Sequence, residues 1–291
     1  MGGASAASAA SRRAEAEPLR IGADFLPRAC SALVLAPIVL LVAGWGSWAF
    51  GILATFAALI ILWEWLRMVA ARPNTVLLAI GGAALVVAML MLAIRPPHMA
   101  MAIVVLGAVA TALAARGGRE RRLWAPFGLV YAGALALPAV ILRGDATFGL
   151  ISLIWLLAVV WSTDIAAYFC GRLIGGPKLW PRVSPNKTWS GAIGGTLFGM
   201  VAGMVTLYAG GVHSTLLAAP VALLASVASQ GGDLFESSMK RRFGVKDSSA
   251  LIPGHGGLMD RLDGFIAAAA LALLIGLLRD PDAPARGLLL W

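Results

Sequence analysis

The stretch Ser237–Asp263 reads SSMKRRFGVKDSSALIPGHGGLMDRLD and lies between two strongly apolar segments. It holds five cations and three carboxylates, and Asp233 and Glu236 add two carboxylates just before it. Charges in or beside a membrane are costly and are usually functional. Carboxylates bind metal ions and cations bind phosphates, so this mixture suits a metal ion together with a phosphorylated substrate.

The whole chain has the composition of an integral membrane protein. Of its 291 residues, 60% are hydrophobic and 13% are charged, whereas soluble domains carry about 25% charged residues. The net charge of +9 does not indicate nucleic-acid binding, because the cations lie between apolar segments and form no basic run.

Segments of about 20 apolar residues, which are long enough to cross a bilayer as helices, recur along the chain. They are 29–46, 48–66, 74–94, 99–115, 123–142, 148–171, 189–209, 215–231 and 264–278. They predict an all-α, polytopic integral membrane protein with about nine transmembrane helices. We expect a disordered cytoplasmic N-terminal tail (1–28), an N-terminal transmembrane scaffold (29–145), a catalytic transmembrane region with cytoplasmic active-site loops (146–279) and a C-terminal tail (280–291).

The cations alternate between the two sides of this predicted topology. Counting polar segments from the tail as zero, the even segments hold 19 of the 23 Lys and Arg residues and the odd segments hold four. An excess of Lys and Arg marks the cytoplasmic side. The tail and the loop Lys240–Arg261 are therefore predicted to face the cytoplasm.

Helical spacing places a row of polar side chains on one face of a helix: Asp233, Glu236, Ser237, Lys240 and Arg241. After the loop, Gly256 and Gly257 precede Asp260 and Asp263 on the next predicted helix. Glycine lets the backbone approach a ligand, and a helix N-terminus attracts anions, so we expect phosphate here. The alternative is a solvated loop of scattered ion pairs.

Two further polar groups follow apolar runs. Asp164 shares a helical face with Tyr168 and Arg172 and needs a partner or a metal ion, so an internal pair with either residue is the alternative to a functional role. Side chains of the segment Ser184–Thr188 can donate to phosphate oxygens, although a loop with a helix cap is the simpler interpretation. Glu64 is predicted to pair with Arg67, three residues later.

The quoted stretch resembles the signature of the phosphatidate cytidylyltransferase (CDP-diacylglycerol synthase) family. The matching positions are Ser237, Lys240-Arg241, Lys246-Asp247, Ser249, Ile252-Pro253, His255-Gly256-Gly257 and Asp260-Arg261-Leu262-Asp263. The family also carries an Asp followed by a small-Tyr pair, as at Asp164, and Ser-Pro-x-Lys-Thr, as at Ser184–Thr188. Ser190 stands where the family often has an acidic residue, so no carboxylate role is carried over there.

The resemblance implies an enzyme that transfers a cytidylyl group from CTP to phosphatidate, giving CDP-diacylglycerol and pyrophosphate, with Mg²⁺ as cofactor and a second cation as an option. The implied catalytic residues are Asp233, Lys240, Arg241, Asp260 and Arg261, and the implied metal ligands are Asp233, Asp260 and Asp263. The implied substrate-binding residues are Asp164, Tyr168, Ser184, Lys187, Thr188, Ser237, Lys246, Asp247, His255, Gly256 and Gly257.

The expected partners are CTP, phosphatidate and the lipid bilayer, with no nucleic acid and with a homodimer left open. The expected location is the inner (cytoplasmic) membrane, with the active site facing the cytoplasm. One alternative is a CTP-dependent lipid-alcohol kinase, which transfers the γ-phosphoryl group. The other is an ion-coupled transporter, for which midplane charges and inverted repeats are expected but not found in the sequence.

The charge alternation makes a prediction about topology. A reporter fused after Trp291 is expected to read as non-cytoplasmic, because an odd number of helices separates it from the cytoplasmic tail. The same reporter at the N-terminus should read as cytoplasmic. A cytoplasmic signal at the C-terminus would show that the predicted helix count is wrong.

Overall fold

A computed structural model describes residues 36–70, 74–212, 216–252 and 256–291. Ten helices and one hairpin form this part of the chain. In order they are α1 (Ala36–Trp45), α2 (Ser47–Met68), α3 (Asn74–Leu92), α4 (Pro97–Ala114), α5 (Arg119–Arg143), α6 (Gly149–Leu173), β1 (Lys178–Trp180), β2 (Ser184–Thr188), α7 (Trp189–Ala209), α8 (Ala219–Arg242), α9 (Met259–Arg279) and α10 (Pro284–Leu289). The fold is thus mostly helical, as predicted; the short antiparallel hairpin β1–β2 was not predicted.

Seven of the described helices, α2 to α7 and α9, are long and apolar enough to span a membrane. The predicted number of nine is not reached within the described residues. The predicted segment 29–46 lies partly outside them, and its described part is the ten-residue α1. The predicted segment 215–231 falls mainly in α8, which has 24 residues but becomes polar from Gln230 onward. The predicted N-terminal tail lies outside the described residues.

Large apolar side chains on the outside of the bundle are consistent with a lipid environment. Leu113 on α4 is 80% exposed and Leu278 on α9 is 77% exposed. A water-soluble monomer rarely exposes apolar surface over a large contiguous area. These faces are therefore expected to contact acyl chains.

Glycines on α7 bring this helix close to α6 and α8. Gly191, Gly195, Gly199 and Gly203 recur every fourth residue and are all buried. A Cβ atom at Gly195 would lie 2.8 Å from the carbonyl oxygen of Thr163, and one at Gly199 would meet the hydroxyls of Thr163 and Ser226. Small residues at this spacing are typical of closely packed membrane helices. They let the hydroxyls of Thr163 and Ser226 form a buried hydrogen bond of 2.6 Å.

An aromatic cluster connects the N-terminal helices to α8. Trp65 on α2 is fully buried, and its indole N–H donates to the carbonyl of Trp124 at 2.8 Å. Its ring contacts Phe127 and Tyr131 on α5 and stacks with Phe235 on α8, with centroids 6.4 Å apart. The N-terminal scaffold is thereby packed directly against the helix that carries the predicted site residues.

One group of helix ends lines a cavity at one end of the bundle. A cavity of about 1270 Å³ is lined by the beginnings of α2 and α4, the end of α5 and the segment before α10, including Ser47, His98, Asp145 and Pro284. These belong to the polar segments with few cations, so the alternation read from the charges agrees with the helix directions. The segment predicted as a C-terminal tail contains α10, where Gly287 packs against α9 at Gly276.

Candidate active site

One charged cluster lies at the other end of the bundle, where β2, α6, α8 and α9 meet. Lys187 on β2 forms an ion pair with Asp233 on α8, and both side chains are about one-third exposed (28% and 33%). Asp164 on α6 and Asp263 on α9 lie within electrostatic range of this pair. Three carboxyl groups therefore lie near one lysine, and one of them, that of Asp233, is in direct contact with it.

A second cluster contains Lys240 between two carboxylates. Its ammonium lies 2.7 Å from Glu236 Oε2, four residues earlier on α8, and 2.7 Å from Asp260 Oδ1 on α9. The Glu236 side chain is fully buried and those of Asp260 and Lys240 are 5% and 13% exposed. The contact with Glu236 is close but poorly directed, so neither Glu236 oxygen makes a hydrogen bond. Lys240 is the cation that the described contacts place against this buried carboxyl group.

Asp260 holds the loop that precedes its own helix. Its Oδ2 accepts hydrogen bonds from the backbone N–H of Gly257 at 2.7 Å and of Ser248 at 3.0 Å, and from the Ser248 hydroxyl at 2.9 Å. Together with Lys240, these donors occupy both carboxylate oxygens. Asp260 therefore links α8, the loop and α9.

Glu64 on α2 does not pair with Arg67, so that prediction was wrong. Its fully buried carboxylate accepts hydrogen bonds from the backbone N–H groups of Leu258 and Met259, at 2.9 and 2.7 Å, and from the Ser249 hydroxyl at 2.6 Å. Arg67 lies over the ring of Trp63 instead, 4.8 Å from its centroid. The N–H groups at a helix N-terminus attract a carboxylate, and at the start of α9 they bind Glu64.

The N-terminus of α9 therefore differs from the phosphate site expected there. The N–H groups of Gly257, Leu258 and Met259 already donate to Asp260 and Glu64. Gly256 has a φ of +80°, a left-handed conformation that favours glycine. Any phosphate at this end must accordingly be bound by side-chain cations or displace a carboxylate.

The remaining predicted residues lie around these clusters in different environments. Arg241, Lys246 and Asp247 are exposed, as is Arg261. The Ser237 hydroxyl donates to Asp233 Oδ1 at 3.4 Å, and Ser184 lies on β2. His255 is outside the described residues.

Two alternative interpretations of the sequence are resolved by the contacts. Thr188 is the N-cap of α7, with its hydroxyl accepting from the Gly191 N–H at 3.1 Å, so the helix-cap interpretation holds for this residue. Arg172 donates to the hydroxyl of Tyr168 at 3.0 Å. Asp164 has neither of them as an ion-pair or hydrogen-bond partner among the described contacts, so the alternative of an internal pair is not observed there.

Comparison of the sequence with those of known proteins identifies its family. Residues 26–278 match the profile of the cytidylyltransferase family. The chain belongs to the cytidylyltransferase family. A phosphatidate cytidylyltransferase of Brucella suis is 43% identical over 266 residues, covering 88% of this chain and 95% of that protein.

Two further relatives carry the same name. The phosphatidate cytidylyltransferase of Brucella abortus (strain 2308) is 43% identical over 264 residues, which cover 88% of this chain and 94% of that protein. That of Staphylococcus haemolyticus is 45% identical over 119 residues, which cover 40% of this chain and 46% of that protein. The similarity to the Brucella proteins thus includes the N-terminal helices as well as the charged clusters.

The two ion pairs differ in burial, which predicts different responses to loss of the lysine. Lys240→Met leaves two buried carboxylates uncompensated and is expected to lower the free energy of unfolding by about 3–5 kcal/mol. Lys187→Met breaks a partly exposed pair and is expected to cost about 1 kcal/mol or less. Thermal unfolding in detergent measures both. Adding Glu236→Gln to Lys240→Met should recover part of the stability, and an equal loss in both single variants would contradict this account.

Proposed function

We propose that this chain transfers a cytidylyl group from CTP to phosphatidate, forming CDP-diacylglycerol and releasing pyrophosphate. The observation that carries the proposal is the pair of charged clusters at one end of a membrane-embedded helix bundle, built from the positions that match the family signature. The names of the full-length relatives supply the substrate class.

The chemistry requires no general base. In the reaction a phosphate oxygen of phosphatidate attacks the α-phosphorus of CTP, one P–O bond forms, and the bond to pyrophosphate breaks. A phosphate monoester has a second pKa of about 6 and is mostly dianionic at neutral pH. Positioning and charge neutralisation therefore supply most of the acceleration, as in other phosphoryl transfers. His255 is accordingly proposed to bind or orient substrate and not to transfer a proton.

The cations around the clusters are proposed to bind the phosphates. Lys187 and Lys240 are held by carboxylates, whereas Arg241 and Lys246 are exposed and have no ion-pair partner among the described residues. Arginine can bind two phosphate oxygens at once, whereas lysine acts as a point charge. Negatively charged substrates then compete with Asp233 and Asp260 for the two paired lysines.

The carboxylate-rich cluster fits a magnesium ion that arrives with the nucleotide. Among the described residues no three carboxylate, His or Cys side chains form a ready metal site. Mg²⁺ usually keeps several waters and binds one or two carboxylates together with substrate phosphates. Asp233 is the proposed principal ligand, with Asp263 beside it. Asp260 would join only if its hydrogen bonds to the loop opened. Bound Mg²⁺ would neutralise phosphate charge.

The finer features of topology are part of the same proposal. The charge alternation supports nine transmembrane helices, with the two clusters at the cytoplasmic face of the inner membrane. There a soluble nucleotide and a lipid headgroup can meet. A homodimer is compatible with this arrangement, and α8, with 24 residues, is long enough to be one of the nine helices.

The reaction is tested by the fate of labelled CTP. With phosphatidate in detergent micelles or vesicles, label at the α-phosphate of CTP is expected in the lipid product and label at the γ-phosphate in pyrophosphate. A lipid-alcohol kinase would instead carry the γ-label into lipid. Lipid labelled only from the γ-position, or no label in lipid at all, would exclude the proposed function.

Asp233→Asn tests the metal assignment. Losing one ligand should lower kcat by about a hundredfold or more, since a bound metal contributes several kcal/mol to the transition state. The protein should remain folded, and residual activity should require more Mg²⁺ than the parent needs. Asp282→Asn, an exposed carboxylate at the opposite end, is the matched control. Near-parent activity of Asp233→Asn at saturating Mg²⁺ would exclude this role.

A further inference from the structure

Glu64 is a buried carboxylate of the N-terminal half that contacts the loop leading into α9. It is 0% exposed, and each of its oxygens accepts a backbone N–H: Oε1 that of Leu258 and Oε2 that of Met259. Oε1 also accepts the Ser249 hydroxyl. With these three donors in place, Glu64 has no direct access to a substrate in the solvent-exposed part of the site.

The groups that Glu64 holds are neighbours of the charged clusters. Met259 precedes Asp260, and Ser249 follows Ser248, whose N–H and hydroxyl donate to Asp260. Two carboxylates, Glu64 from α2 and Asp260 from α9, thus bind adjacent residues in each of the segments 248–249 and 257–259. A displacement of this loop would move Asp260 and, through their ion pair, Lys240.

The residue Gly257 shows how closely the loop and Glu64 are packed. A Cβ atom at this position would collide with the Ser248 hydroxyl and with the carboxylate of Glu64. Glu64 itself is held by its neighbour Trp65, which is anchored to α5 and stacked on Phe235 of α8. The carboxylate is therefore presented from a well-packed part of the scaffold, and the backbone at Gly257 lies in close contact with it.

We propose that Glu64 is a positioning residue for cytidylyl transfer, which fixes the first turn of α9 and thereby the placement of Asp260 and Lys240. The inference rests on the proposed function and extends it, since it gives the N-terminal helices a part in the reaction. Two features separate this role from simple packing: the acceptors are charged, and their donors are backbone groups next to the residues of the site. A group held within a fraction of an ångström matters more to the transition state than to substrate binding.

The test compares Glu64→Gln with Glu120→Gln in the full-length protein. Glutamine keeps the size of Glu64 but presents an NH₂ group to one of the N–H donors, so the two backbone bonds cannot both form. We expect kcat for transfer from α-labelled CTP to fall about ten- to a hundredfold. The KM values for CTP and phosphatidate should stay within about threefold, with an unchanged elution profile. Glu120, an exposed carboxylate paired with Arg242, is the control and should keep parent kinetics.

A second variant keeps the proposal testable if Glu64→Gln does not fold. Ser249→Ala removes one hydroxyl donor to Glu64 and is expected to lower kcat several-fold without changing either KM. In the double variant the two losses should be less than multiplicative, because both act through the same loop.

The outcomes distinguish this inference from the function on which it rests. If the parent transfers no α-label to lipid, the proposed function fails and this inference fails with it. If the parent is active but Glu64→Gln and Ser249→Ala both keep its kcat, only the positioning role is overturned. A rise in KM for CTP at unchanged kcat would also overturn it, since Glu64 would then act on substrate binding alone.

Discussion

Charge compensation among buried side chains is the constraint on which the site end of this protein depends. Glu236 and Asp260 are almost completely buried, and the single ammonium of Lys240 lies between them. Two carboxyl groups in such surroundings need a compensating cation, and the oxygens of Asp260 also accept hydrogen bonds from the loop. The helices α8 and α9 and the described part of the loop between them each contribute a charge or an N–H group to this compensation.

The same constraint shapes how the site can receive an anionic substrate. The N–H groups that open α9 are satisfied by Asp260 and Glu64, and Lys187 is paired with Asp233. In this arrangement the protein's own carboxylates occupy positions that phosphate oxygens would otherwise take. On the proposed function, a nucleoside triphosphate that brings a metal ion would supply both charges needed to exchange these pairs. This gives a physical reason for a site rich in carboxylates in an enzyme whose substrates are anions.

The sequence was sufficient to predict the features that depend on local pattern. Apolar segment length predicted most of the helices, and the cation alternation agrees with the grouping of their ends. The spacing of Asp233, Glu236 and Lys240 correctly predicted that these residues lie on one helix, because helical periodicity is a property of neighbouring residues.

Features that depend on distant contacts were not predictable in this way. Glu64 was assigned to Arg67 because only nearby residues can be weighed from spacing, whereas its real partners lie 185 to 195 residues later. The hairpin β1–β2 was missed for a related reason: a three-residue and a five-residue strand carry too little alternation to be recognised. The apolar part of α8 was predicted as segment 215–231, but the helix continues through polar residues to Arg242, so the length of the apolar run alone gave too early an end.

The contact between Glu64 and the N-terminus of α9 also imposes an order on biosynthesis. Glu64 leaves the ribosome 194 residues before Leu258, the first of its two backbone donors. At typical elongation rates of about 5–20 residues per second, this interval lasts about 10–40 seconds. Throughout that time the nascent N-terminal helices carry a carboxylate whose final donors do not yet exist, and water or lipid headgroups must solvate it. Assembly of the catalytic end is therefore a late event, completed only after the first turn of α9 has been made.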